Sequence, residues 1–171
     1  MNDNDIVTLA EDVVRIVKVG TPIPLDRVVW LLGGRVAFDP STCCRAVVEI
    51  IGEHEFVLTM GMEESEAATV EGRYAIARAI GHLFLRLGYM KSETTWPRVY
   101  RDCFLHRGFA FTMEYITAER FAAALLLPEE IMLDTTTENG LLDIEAVKAL
   151  CGVPTNAVRL RAKMLGFGRV Y

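Results

Sequence analysis

The chain has 171 residues, 51% of them hydrophobic, with a formal net charge of -5. That length and composition exclude a disordered chain and suffice for a core without disulfide or metal staples, while the acidic balance offers no basic footprint for nucleic acid or an anionic membrane. No apolar run reaches the roughly 18 residues of a membrane span, and Met1 to Asp5 are acidic and polar where a signal peptide is basic and then apolar, so one cytoplasmic domain over 1–171 is expected.

Ile6, Leu9, Val13, Val14, Ile16 and Val17 recur at near-helical spacing and predict an amphipathic helix within 1–20. After Pro22 and Pro24 a short helix is expected over 25–32, stopped by Gly33 and Gly34. The Val-, Ile- and Phe-rich stretches 35–38, 45–51 and 55–60 predict a small antiparallel sheet, with 52–54 as a hairpin turn. His54, flanked by Glu53 and Glu55, reads as part of that solvated turn. Over 69–87 the period lengthens, and Ile76, Ile80, Leu83 and Leu87 form one apolar stripe of a central helix that Gly88 ends. The stretch 89–108 has no clear period and contains Pro97, so it reads as a loop or irregular crossover. A third long helix is expected over 114–127, where Pro128 ends it and opens a short turn. Beyond the polar linker 134–140, a helical pair over 142–150 and 155–165 closes the chain around Gly152, Val153 and Pro154. Cys43, Cys44, Cys103 and Cys151 show neither CxxC spacing nor the density of a secreted scaffold, which predicts reduced thiols.

Three blocks in order carry a resemblance. Arg73-Tyr74-Ala75-Ile76-Ala77-Arg78-Ala79-Ile80-Gly81-His82-Leu83 resembles a helix of the form R-F-T-x-A-H-E-x-G-H-L. The segment from Ala118 to Glu129, with Phe121-Ala122-Ala123 and Leu125-Leu126-Leu127-Pro128, resembles A-N-x-F-A-A-x-L-L-M-P-E, and the tail from Ile144 to Pro154 with Ala157, Val158, Arg159 and Leu160 resembles the closing pattern of the same family. Together they make the chain similar to the ImmA/IrrE family of small bacterial zinc endopeptidases over roughly residues 20 to 167. The resemblance implies an α+β fold with a zincin-like helical core, a small antiparallel sheet and a C-terminal helical pair over 142–167. Active members hold zinc with the two histidines of H-E-x-x-H, one helical turn apart, use the glutamate as base, and complete the site with a carboxylate from the next long helix.

Here those positions hold Arg78, Ala79 and His82, and the metal-binding glutamate falls on Tyr115, with Glu114 one residue out of register. Arginine stays protonated and has no lone pair, and alanine cannot act as a base. The expectation is a catalytically inactive pseudo-peptidase without catalytic residues or metal, whose vestigial positions are Arg78, Ala79, His82 and Tyr115. Arg78 and His82 lie away from the apolar stripe of the central helix, toward the third long helix. A guanidinium packed there needs a carboxylate, and Glu119, one turn beyond Tyr115, is the leading candidate, with Glu114 as the fallback. Arg78 is therefore expected to donate to Glu119, with His82 and Tyr115 lining the same pocket.

The resemblance also implies a context, because such proteins are often encoded on phages and mobile elements and relieve repression by cleaving helix-turn-helix repressors. A regulatory protein-binding module with such a repressor as partner is the leading reading. One alternative is a zinc endopeptidase with unusual ligands. Another is a DNA-binding regulator, since Ala149, Gly152 and Val158 are spaced as in a helix-turn-helix and Arg159, Arg161 and Lys163 make its last helix basic. Cys103 with His106 and the adjacent Cys43 and Cys44 lack a second spaced pair and are not read as a zinc site.

Overall fold

The computed structural model describes residues 3–89, 97–103, 113–137 and 140–167. Helix α1 (Asp3–Val17) turns Ile6, Ala10, Val13 and Val17 inward, while Ile16 is exposed. Helix α2 (Leu25–Leu31) buries Leu25, Val28 and Val29. Strands β1 (Gly34–Phe38), β2 (Cys44–Ile50) and β3 (Phe56–Met60) follow, with β2 and β3 forming the expected hairpin. The chain continues through α3 (Val70–Leu85), β4 (Val99–Cys103), α4 (Met113–Leu126), α5 (Glu129–Asp134), α6 (Ile144–Cys151) and α7 (Thr155–Met164). The fold is α+β: seven α-helices and one mixed sheet among the described residues. None of these helices is long and apolar enough to cross a membrane.

The sheet departs from the sequence expectation in two ways. Its order is β1-β3-β2-β4, and β1 runs parallel to β3, so it is mixed rather than antiparallel. The hairpin places β3 between β1 and β2, a central position that suits a strand with Phe56, Val57, Leu58 and Met60 all buried. The second departure is β4, which lies inside the stretch read as a loop and pairs antiparallel with β2, Val48 opposite Tyr100 and Cys44 opposite Cys103. Arg101 and Asp102 break the apolar signature of a strand, as edge strands commonly do, and the segment is extended because β2 supplies its pairing. A third correction concerns the cysteines: Cys44 and Cys103 are disulfide-bonded, while Cys43 is free and exposed and Cys151 free and buried. Their separation of 59 residues hides a pairing that only the β2–β4 register creates.

Helix α3 begins at Thr69, whose hydroxyl accepts from the Gly72 amide at 3.0 Å. It is buried nearly all round, from Ile76 through Phe84, between the sheet and α4. Small residues let α3 and α4 close together: a Cβ on Gly81 would stand 3.1 Å from the Phe121 ring, and α4 presents Ala122, Ala123 and Ala124 to the core. Helix α6 is opened by Asp143, which accepts from the Ala146 amide at 3.0 Å, and the turn into α7 is set by Gly152 in the left-handed region at φ 61°. This framework fixes the α3–α4 seam, where the sequence places its vestigial positions.

Candidate functional site

Arg78 and His82 are one turn apart on α3, and both are buried, at 9% and 1% exposure. The Arg78 guanidinium donates from Nη1 to Glu119 Oε1 at 2.9 Å, as the sequence predicts. Its Nε also lies 3.4 Å from Asp102 Oδ2, an ion pair that comes from β4. The Arg78 Cζ sits 5.3 Å from the centroid of the Tyr115 ring, which places Tyr115 in the same pocket. Burial alone pulls the Arg78 pKa down, but the Glu119 hydrogen bond and the Asp102 and Glu119 charges outweigh it and hold the pKa above its ordinary value.

Glu119 is held from a second side, because the Tyr74 hydroxyl donates to its Oε2 at 2.9 Å. Burial and that carboxylate raise the Tyr74 pKa well above its ordinary value, so the phenol stays protonated. Tyr115 is raised in the same way, by burial first and Glu119 second. Tyr74 and Asp102 are the partners that sequence reasoning missed. Tyr74 had a signal, since it precedes Arg78 by one turn on the same helix face. Asp102 had none, because it sits on the unread strand.

The His82 imidazole stacks on Tyr100, with ring centroids 4.4 Å apart and an interplanar angle of 27°. Its Nε2 is 3.9 Å from Asp102 Oδ2, and neither ring nitrogen has a hydrogen-bond partner among the described residues. Burial, followed by the positive charges of Arg78 and Arg86, pushes the His82 pKa down from 6.5 to about 3. His82 is therefore neutral at physiological pH, and its approach to Asp102 is not an ion pair. The depressed value has a sign that can be tested. Below pH 6.5 the unfolded chain takes up a proton that the folded chain refuses, so stability is complete above 6.5 and falls as the pH drops toward 3. Between pH 7.5 and pH 5 the expected loss from this residue is about 2 kcal/mol. Urea midpoints at both pH values measure it, and His82→Phe should show a correspondingly shallower pH dependence.

Glu114 is not used by Arg78. It accepts from the Tyr100 hydroxyl at 3.4 Å and lies 4.0 Å from Arg86 Nη1, at a cleft of about 380 Å³ lined by Leu85, Arg86, Met113, Glu114 and Thr117. Ala79, in the position of a base, is 1% exposed and packed in the hydrophobic core. The pocket does not fit a zinc ion. Of the four vestigial positions only His82 offers a ready lone pair, Tyr115 is a protonated phenol, and a fixed cation already sits between the carboxylates that would attract a metal. The guanidinium ties α3 to both α4 and β4 through these two carboxylates.

The C-terminal pair forms as expected, but its basic face does not. Arg161 is 0% exposed, donating from Nε to the Leu127 carbonyl at 3.0 Å and from Nη2 to Glu11 Oε1 at 2.9 Å. It is a structural residue, unavailable to phosphates, which leaves only Arg159 and Lys163 exposed among the three basic positions. His54 lies exposed in the hairpin turn. The pairing of Cys103 with His106 lies partly outside the described residues, since His106 is not among them; Cys103 meets Cys43 and Cys44, with the three sulfur atoms within 4.8 Å of one another. No protein-family model matches the chain, and no curated protein matches it.

Proposed function

We propose that the chain is a non-catalytic relative of the ImmA/IrrE zinc endopeptidases, a pseudo-peptidase that regulates transcription in the cytoplasm by binding a protein partner, with a helix-turn-helix repressor as the leading candidate. The observation that carries this reading is the Arg78 guanidinium bound to Glu119 and Asp102 on the α3–α4 seam, where such an enzyme would hold its metal. The motif positions supply no base at Ala79 and one imidazole at His82, so activation of a metal-bound water has no machinery here. Burial of Arg161 removes the central cation of the DNA-binding alternative. What remains is a rigid scaffold able to bind without cleaving.

Purified protein is expected to carry no zinc that depends on His82, so elemental analysis of wild type and His82→Ala should agree. Arg78→His with Ala79→Glu should fail to create a tight zinc site, and Tyr115→Glu should be needed in addition, because a carboxylate from α4 must complete the ligand set. Stoichiometric zinc in the disulfide form of the double variant, absent from the disulfide form of the wild type, would move the third ligand to Asp102. Calorimetric titration with a helix-turn-helix repressor tests the binding role: an intact repressor in a stable complex is expected, and a cleaved one would overturn the reading.

A further inference from the structure

Three sulfur-bearing side chains converge at the end of the β2–β4 pair. Cys44 and Cys103 stand opposite each other in register, and a register shift lies between Cys44 and Ala46. Consecutive residues of a regular strand point to opposite faces, but Cys43 precedes β2 and is free of that alternation. Its sulfur can therefore join the other two, and all three Sγ atoms lie within 4.8 Å of one another. Thiolates that share one zinc-sized ion at about 2.3 Å each stand roughly 3.8 Å apart in a tetrahedral arrangement. The 4.8 Å limit on the distance of Cys43 from the other two sulfurs is within about 1 Å of that requirement, and reduction frees the bonded Cys44 and Cys103 sulfurs to move apart by side-chain rotation.

The geometry points to a binding site for one thiophilic cation of the zinc class in the reduced protein, with Cys43, Cys44 and Cys103 as ligands. Soft thiolates select such ions over magnesium or calcium. Cys44 is buried, Cys103 half-buried and Cys43 exposed, so the protein closes one side of the ion and solvent supplies the fourth ligand on the other. The Cys44–Cys103 disulfide and the bound ion exclude each other, because oxidation consumes two of the three ligands. A phosphine reductant converts the disulfide to the metal-binding dithiol in a balanced step. Two electrons enter the S–S bond, phosphorus takes an oxygen from water to give the phosphine oxide, and the two sulfurs become thiols whose protons leave as the metal binds. Cys103 follows Asp102 directly, so the redox and metal state of the cluster acts one residue from the carboxylate that holds Arg78.

The test uses the full chain, reduced with a phosphine, freed of reductant under anaerobic conditions and titrated with Cd²⁺, whose thiolate bonds absorb in the ultraviolet. One equivalent is expected to bind to the reduced protein and none to the disulfide form. Loss of a supporting partner alone costs roughly 10- to 100-fold in metal affinity, and Cys43→Ser removes a ligand, so it should weaken binding by at least that factor. Cys43 is exposed and outside the disulfide, so this variant keeps its fold, and an unchanged urea midpoint checks that. His82→Ala should bind as wild type does. The inference is overturned by absence of a one-equivalent endpoint in the reduced protein, by unchanged affinity in Cys43→Ser, or by loss of binding in His82→Ala, which would move the ion to the α3–α4 pocket.

Discussion

Replacing Glu119 by alanine is expected to lower the free energy of unfolding by about 3 kcal/mol. The Arg78 and Glu119 side chains are only 10% and 12% exposed, so removing the carboxylate leaves a guanidinium that water cannot reach. Breaking such a pair typically costs 3–5 kcal/mol, and the lower end applies because Asp102 remains 3.4 Å from Nε. The Tyr74 hydroxyl loses its side-chain acceptor in the same step. Glu119→Gln keeps a side-chain acceptor for one of the two donors and should cost less, about 1.5 kcal/mol. In an Arg78→Met background the charge is gone, and the same Glu119→Ala change should fall to about 1 kcal/mol, a coupling that a double-mutant cycle by urea denaturation reads directly. A loss below about 1 kcal/mol in the wild-type background would mean that the pair is wet and that the guanidinium does not substitute for a metal charge.

Arg161→Ala should be at least as damaging, by about 3–5 kcal/mol, although Arg161 lies far from the Arg78 pocket in sequence and belongs to the helical pair. It is the largest fully buried side chain among the described residues, so truncation opens a cavity between α7 and α4, and it leaves the Leu127 carbonyl without its donor. Arg161→Met fills most of that space and isolates the carbonyl cost, expected at about 1–3 kcal/mol. Glu11→Ala should cost no more than about 1–2 kcal/mol, because the Glu11 side chain is 45% exposed and its pair with Arg161 is partly screened by solvent. Thermal and urea unfolding of the three variants rank them. An Arg161→Ala protein as stable as wild type but deficient in DNA retention would restore the phosphate-binding reading.

The helices were legible in the sequence because each carries its own periodicity and stops. Ile76, Ile80 and Leu83 define α3 without reference to any other segment, Pro128 ends α4, and Gly152 turns α6 into α7 in the left-handed conformation that glycine adopts most readily. The Arg78–Glu119 pair was also legible, since helical register places both residues on facing surfaces and a buried cation demands an acceptor. What the sequence could not determine depends on partners distant along the chain. Strand β4 is extended only because β2 offers it a ladder, the parallel pairing of β1 with β3 follows from which strand occupies the centre, and Asp102 and Cys103 reach Arg78 and Cys44 through that pairing. Arg161 likewise reads as a surface cation on a basic helix, until the packing of α7 against α4 and the approach of Glu11 bury it. Periodicity is a local property that one segment holds alone, whereas strand order, ion pairing across the core and sulfur convergence belong to surfaces that exist only once distant segments have met.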